Sequence, residues 1–286
     1  MIDRLPLDVQ ARILDDVTLS DDISRALVAC ESLRHGAFSR MTMLVYNDDI
    51  MNRLSLPLPL PSSLRMLRIT GITMTILPAL PSSLHTLDCG GCKSLTSLPA
   101  LPSSMHILDC VMCTSLTSLP DLPSSLHILD CGGCESLTSL PALPSSLHLL
   151  HCQWCTSLTS HPALPSSLHT LEFRGCIGFT SLPALPSSLR TLSCEWYQSL
   201  TSIPALPSSL HALDCRACES LTIILGLPSS LHTLDFERCK SLTSLPSLPS
   251  CLRTLNCEGC CSLTSLPSLP SSLQSLIFNR CIAKGA

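Results

Sequence analysis

Aromatic residues make up only 3% of this chain and charged residues only 13%, against 45% hydrophobic. That balance excludes the ordinary pair of globular domains that 286 residues would otherwise suggest. Glycine is scarce beside proline, 11 against 23, an inverted ratio for a compact fold with tight glycine turns. Basic residues are not in excess: the formal charge is −4. There is thus no overall basic excess of the kind a nucleic-acid-binding surface needs, and nucleic acid is not an expected partner. Long apolar runs are missing too. Stretches of two to four apolar residues are broken by proline, serine and aspartate, far short of the ~18 that a spanning helix needs, so no membrane partner is expected. Met1 to Val17 carries Asp3, Arg4, Asp8, Arg12, Asp15 and Asp16 where a secretory signal needs an apolar core. The expected location is intracellular, in the cytoplasm. The odd number of cysteines, 19, then argues against a disulfide framework.

What the chain has in quantity is leucine, proline, serine and cysteine, the mark of a reiterated unit. The string Pro-Ser-Ser-Leu, with Met105 once for leucine and Cys251 once for serine, ends at Leu64, Leu84, Met105, Leu126, Leu147, Leu168, Leu189, Leu210, Leu231, Leu252 and Leu273. The first interval is 20 residues and the other nine are 21. The unit reads L-H-T-L-D-C-G-G-C-K-S-L-T-S-L-P-A-L-P-S-S at Leu84 to Ser104. Within it, alternation puts Leu87 and Cys89 on one face and Thr86 and Asp88 on the other, the period of a short strand. Leu95, Leu98 and Leu101 return to the same interior. Pro99 and Pro102 forbid a helix there and favour extended, polyproline-like backbone on the outer side.

This unit resembles the leucine-rich repeat, LxxLxLxx(N/C)xL, over roughly residues 64 to 281. Its Leu-Pro-x-Leu-Pro half resembles the short repeats of bacterial effectors and plant resistance proteins. The resemblance implies an α/β solenoid with a parallel sheet on the concave face, eleven copies spanning roughly 50 Å of arc at ~4.8 Å per strand. The expected organisation is a helical segment at 1–40, a linker with a degenerate capping repeat at 41–63, and the solenoid at 64–286. Met43 to Tyr46 reads as a decayed strand ahead of the first copy. The chain stops five residues past Cys281 without a dedicated cap, so the last copy is expected to be an association surface or a truncated end.

Six copies contain Cys-x-x-Cys, as at Cys89/Cys92, a spacing that elsewhere indicates zinc or redox chemistry. Here the first cysteine is replaced by Phe173, Phe236, Phe278 or Ile69, a packing substitution that would destroy a metal ligand. The second, replaced once by Tyr197, falls at the asparagine position of the repeat, where a weak donor meets backbone carbonyls. No metal or cofactor is expected. Histidine follows the leading leucine at His85, His106, His127, His148, His169, His211 and His232; a solvated row is the reading, with soft-metal binding or mutual repulsion on protonation as the alternatives. His161 takes an inward leucine slot, either as a buried imidazole with a partner or as a tolerated weak spot.

The outward strand positions form the candidate binding face. One carries Arg68, Asp88, Asp109, Asp130, His151, Glu172, Ser193, Asp214, Asp235, Asn256 and Ile277, so an acidic row runs through much of the array and either favours a basic ligand or simply keeps the sheet solvated. The other carries mostly threonine, except for Ile107, Ile128 and Leu149. Val111, Met112 and Trp154 lie just beyond the strands, with Trp196 at the slot equivalent to Trp154. Exposed aromatic and aliphatic groups inside a charged rim have the chemistry of an interaction hot spot. The expected contact set for a protein partner is therefore Ile107, Asp109, Met112, Ile128, Asp130, Leu149, His151, Trp154, Glu172 and Trp196. No nucleophile and base pair stands apart from the repeat columns, and no glycine loop cradles phosphate, so no enzymatic activity is expected.

Ahead of the repeats, Val9, Ile13, Leu14 and Val17 mark one face of a helix. Ser20 with Asp21 and Asp22 opens a second, with Ile23, Ala26, Leu27 and Cys30 inward. The order Leu5-Pro6, Ile13-Leu14, Asp22, Leu27-Val28, Cys30, Leu33-Arg34 resembles the F-box. That resemblance implies binding of a Skp1-like adaptor of a cullin ubiquitin ligase through Leu5, Pro6, Val9, Ile13, Leu14, Leu27 and Val28, with the substrate on the repeats. The alternative is a freestanding repeat module or effector whose amino-terminal helices only cap the solenoid.

Overall fold

The structure, a computed structural model, describes residues 42–46, 60–179 and 181–278. The expected helices of 1–40, and with them every adaptor-contact residue named above, lie outside the described residues. Each copy contributes one short strand, and the strands stack in chain order into a single parallel sheet of twelve. Most are three residues long, such as Thr86–Asp88, Ile107–Asp109, Ile128–Asp130 and Leu149–His151. Register is constant: Thr86 faces Ile107, Ile107 faces Ile128, and Ile128 faces Leu149. The alternation read from the sequence is realised, since the middle leucine of each strand is buried while its two neighbours are half-exposed. Met43–Tyr46 adds the first strand, paired with Met66–Ile69.

Behind the sheet, the leucine and cysteine columns close one continuous core. Leu84, Leu87, Cys89, Cys92 and Leu95 are fully buried and Leu98 nearly so, and the same pattern recurs in copy after copy. Burying one such leucine is worth roughly 1.5–3 kcal/mol, so the stack gains stability turn by turn, each turn covering the last. No helix occurs among the described residues. On the outer side the backbone is irregular, apart from one parallel pair, Ser202–Ile203 with Ile223–Ile224.

Three ladders of polar side chains hold the turns in register. The Pro-Ser-Ser-Leu string is a β-turn in which the Leu84 amide donates to the Pro81 carbonyl at 3.1 Å, repeated at Met105 and Leu126. Its second serine donates to the leading residue of the preceding copy: Ser104 Oγ to the Leu84 carbonyl at 2.6 Å and Ser146 to Leu126 at 2.6 Å. The second cysteine does the same one layer deeper. Cys113 Sγ donates to the Cys89 carbonyl and Cys134 to Cys110, each at 3.1 Å. A threonine ladder, as from Thr96 to Thr75, binds the outer side. The serine ladder supplies a donor to the leading-residue carbonyls, whereas the thiol and threonine ladders add a second donor to carbonyls that already accept a backbone amide, as Cys89 does from Cys92 at 3.3 Å and Thr75 from Thr96 at 3.0 Å.

Candidate functional site

The turn that leaves each strand fixes the geometry of the site. The Asp88 carboxylate accepts the Gly90 amide, Asp109 that of Val111, and Asp130 that of Gly132, each at 3.0 Å. Two residues after each of these carboxylate-capped turns begins, the backbone enters the left-handed region and its amide donates to the next copy, as from Trp154 to the Arg174 carbonyl at 2.6 Å. Ten copies hold a left-handed residue here. Five are glycine; the others are Met112, Trp154, Trp196, Ala217 and Arg238, with φ between 56° and 61°. A side chain in that conformation costs roughly 1–2 kcal/mol, so the inter-copy hydrogen bond imposes the backbone and these residues bear the strain.

The bulky residues lie along the row and over the neighbouring glycines. A Cβ added at Gly133 would come within 2.6 Å of Met112 Sδ, and one at Gly175 would overlap the Trp154 ring. With Gly175 as a floor, Trp154 reaches toward Trp196, the ring centroids 6.5 Å apart, and the Arg174 guanidinium stacks 5.6 Å from the Trp154 centroid. Met112 and Trp154 remain 46% and 44% exposed. On the sheet, Ile107, Ile128 and Leu149 stand side by side as a half-buried apolar step. Asp109, Asp130 and His151 form the lane between that step and the rim. All ten residues expected at the partner face thus fall on three columns of five consecutive copies, with Glu172 continuing the lane beyond His151.

The acidic lane is largely neutralised from within. Arg68 pairs with Asp88 at 3.1 Å, and His151 bridges Asp130 at 3.2 Å and Glu172 at 3.4 Å. Gln153 donates to Glu172. Arg216 binds Asp214 at 2.8 Å and the buried Glu195 at 2.7 Å, and Arg174 lies 3.2 Å from Glu195. Burial alone would lower the His151 pKa, but the Asp130 and Glu172 carboxylates outweigh it and the imidazole is raised above its usual value. Asp109 has no cation within ion-pair distance among the described residues; burial, then the adjacent Asp88, pushes it up to about 7. Glu195 reaches about 7 by burial and the nearby Asp214, although two arginines oppose it. The row therefore serves first to cap turns and pair internal cations, a role its one-letter pattern does not reveal.

The cysteine columns act as packing and ladder donors: the described thiols are unbridged and most are buried. Burial raises several of them, for example Cys92 to about 11. His161 sits half-buried against Phe179, ring centroids 5.5 Å apart, with Nε2 3.3 Å from the Ser181 carbonyl. Sequence reasoning missed the serine ladder and the left-handed row. The first was signalled by the recurrence of the second serine, replaced only by Cys251, another donor; the second by glycine alternating with bulky residues at a single column.

No protein-family model matches the chain, and no curated protein matches it. Among solved structures it is similar to YopM from Yersinia enterocolitica WA-314, at 28% identity and a TM-score of 0.60 over 86% of this chain. The match spans 57% of that protein's length. A leucine-rich repeat protein from Bacteroides ovatus ATCC 8483 gives 22% identity and a TM-score of 0.45, covering 75% of this chain and 69% of that one. The YopM likeness and the ~21-residue turns identify the parallel-sheet solenoid as a leucine-rich-repeat fold.

Proposed function

We propose that this chain is a non-enzymatic recognition scaffold that holds a protein partner on the concave sheet and its tryptophan rim. The observation that carries this reading is the rim itself. Trp154 and Met112 are kept exposed, and Trp196 half-buried beside Trp154, on a strained backbone that glycine would satisfy at lower cost. The adjoining step of Ile107, Ile128 and Leu149 supplies apolar area, and the Asp109 lane supplies polarity. Residues 2 to 40, by their resemblance to the F-box, give this scaffold a Skp1-like adaptor and make it the substrate receptor of a cullin ubiquitin ligase. The solenoid's likeness to YopM supports equally a freestanding repeat module whose first forty residues serve as a cap.

Two measurements separate these statements. Trp154→Ala combined with Ile128→Asp should weaken partner capture at least tenfold while leaving the circular-dichroism melt nearly unchanged; unchanged capture sinks the concave site. Full-length chain should pull down a Skp1-like adaptor, and Leu5→Asp with Ile13→Asp should abolish that. A folded chain that never retains the adaptor is a plain interaction module.

A further inference from the structure

The repeat register builds a second row that the concave site does not use. Where each strand begins, the residue after the leading leucine is Arg65 in the first copy and histidine in the next five. Arg190 follows, then His211, His232 and Arg253. The five consecutive imidazoles, His85 to His169, lie with ring centroids 5.1, 5.2, 5.3 and 5.2 Å apart, three of the four steps stacked. His85 Nδ1 is 2.6 Å from the Ser83 carbonyl. That carbonyl only accepts, so Nδ1 carries the proton and Nε2 is the nitrogen that gains one on acidification.

Among the described residues, no carboxylate faces this row. One flank is the serine column of the turns, and the other is the strand-entry column of Thr86, Ile107, Ile128, Leu149 and Thr170, all uncharged. The nearest acidic column, that of Asp88 and Asp109, stands two strand positions further on and is occupied with turn amides and its own cations. On the outer side, Asp121 belongs to the proline segment of a different part of the turn. The groups that act on the imidazoles are each other and Arg190: His127 is lowered by burial and then by His106 and His148, His169 by burial and then by Arg190. A row of like charges at strand spacing is relieved only by anions distributed along it. A single bound ion reaches two neighbours; a chain of anions reaches all of them. The row is also one side chain wide and, at ~4.8 Å per strand, about 29 Å long from Arg65 to Arg190. It is a line, where a lipid surface or a protein face would need breadth.

We propose that this edge is a binding ridge for a linear chain of phosphate groups, held by Arg65 and Arg190 at all pH values and by the five imidazoles between them as they protonate. Full-length protein titrated calorimetrically with inorganic polyphosphate should bind at least tenfold more tightly at pH 5.5 than at pH 7.5. Affinity should fall as salt rises, more steeply at the lower pH. The triple variant His106→Gln, His127→Gln, His148→Gln should keep its melt and its pH 7.5 affinity and lose the acid gain. Lys93→Gln with Arg238→Gln and Lys240→Gln, three cations off the ridge, should keep the gain, which separates the ridge from the overall charge of the chain. Arg190→Gln should weaken binding at both pH values. Orthophosphate should bind no more tightly at pH 5.5 than at 7.5, and phosphatidylserine vesicles should compete poorly. An acid gain that survives in the histidine triple variant, no binding of polyphosphate at pH 5.5, or vesicle binding in its place overturns the proposal.

Discussion

The packing of Trp154 over Gly175 makes a prediction that can be tested without knowing the partner. Gly175 and Gly91 occupy the same column with φ of 68° and 74°. An added Cβ at Gly91 meets only the Gly71 backbone, at 3.6 Å or more, whereas at Gly175 it overlaps the Trp154 ring. Gly91→Ala should therefore cost only the left-handed penalty, about 1–2 kcal/mol. Gly175→Ala should cost that and a further ~1–3 kcal/mol for displacing the indole, as overpacking does elsewhere. Placed in a Trp154→Ala background, Gly175→Ala should fall back to the Gly91→Ala value, giving a coupling of ~1–3 kcal/mol between residues 154 and 175. Urea unfolding followed by far-ultraviolet circular dichroism measures each corner of the cycle. Tryptophan emission gives a local readout, because Trp154 and Trp196 are the only two indoles in the chain. Equal losses for Gly91→Ala and Gly175→Ala, or an excess that survives without Trp154, would refute the flat-lying indole and with it the rim platform.

Further outcomes follow from the same coordinates. Asp109 titrates near 7 in the fold against 3.8 ordinarily, through burial first and Asp88 second. Between those values the folded chain holds a proton that the unfolded chain has released, so stability falls as pH rises through that window. Asp109→Asn keeps an acceptor for the Val111 amide; its melting temperature should match wild type below the ordinary carboxylate range and exceed it above about pH 7, and a constant offset at all pH values would contradict the assignment. Cys134→Ala removes the thiol donor to the Cys110 carbonyl, which keeps the Cys113 amide at 3.2 Å, and should cost about 0.5–1.5 kcal/mol in urea unfolding, with Cys134→Ser recovering part of it. Leu225 is 77% exposed where nine copies have proline; Leu225→Pro should stabilise by about 0.4–1 kcal/mol through the unfolded state, and a lower melting temperature would show that its side chain or amide is held.

Much of this architecture was legible because it repeats. The 21-residue interval with leucine and cysteine at alternating inward places determines a parallel stack, and Met43 to Tyr46 could be read as a strand from the same pattern. Periodicity distinguishes inside from outside; it does not show which atom 20 residues away receives a hydroxyl. Ser104 and Leu84 meet only because the stack brings successive copies together, so the serine ladder lay beyond a linear reading. The pairing within the acidic lane was hidden for a related reason. His151 stands in the same column as Asp130 and Glu172, in the copy between them, and Arg174 and Arg216 flank Glu195 from its two neighbouring copies, so these charges meet only because the stack brings successive copies together. The partner-face residues were found where copies diverge, which needs only alignment of the chain with itself; the strain beneath Trp154 and Trp196 needed backbone angles.

Repetition also says where specificity is built. A column shared by all copies holds the stack together, so information about a partner can reside only where columns break. Most of the large apolar breaks cluster, while others such as Ala212, Ala217, Arg238 and Asn256 fall beyond them. Ile107, Ile128 and Leu149 interrupt the threonine column, His151 the acidic one, and Met112, Trp154 and Trp196 the glycine one, all between residues 107 and 196. The core breaks toward the end of the same span: Phe173 replaces a cysteine, Phe179 a leucine and Tyr197 a ladder thiol, packing at 5.3 and 5.9 Å. The Tyr197 hydroxyl donates to the Ser181 carbonyl, the same acceptor that lies beside His161. Independent drift at four buried positions would leave holes or clashes, each costing ~1–3 kcal/mol or more. Instead the four rings pack against one another and three of them are fully or almost fully buried. The rings form one connected cluster within consecutive copies that also carry Trp154 and Trp196, so a substitution at any one of the four should couple to its ring neighbours.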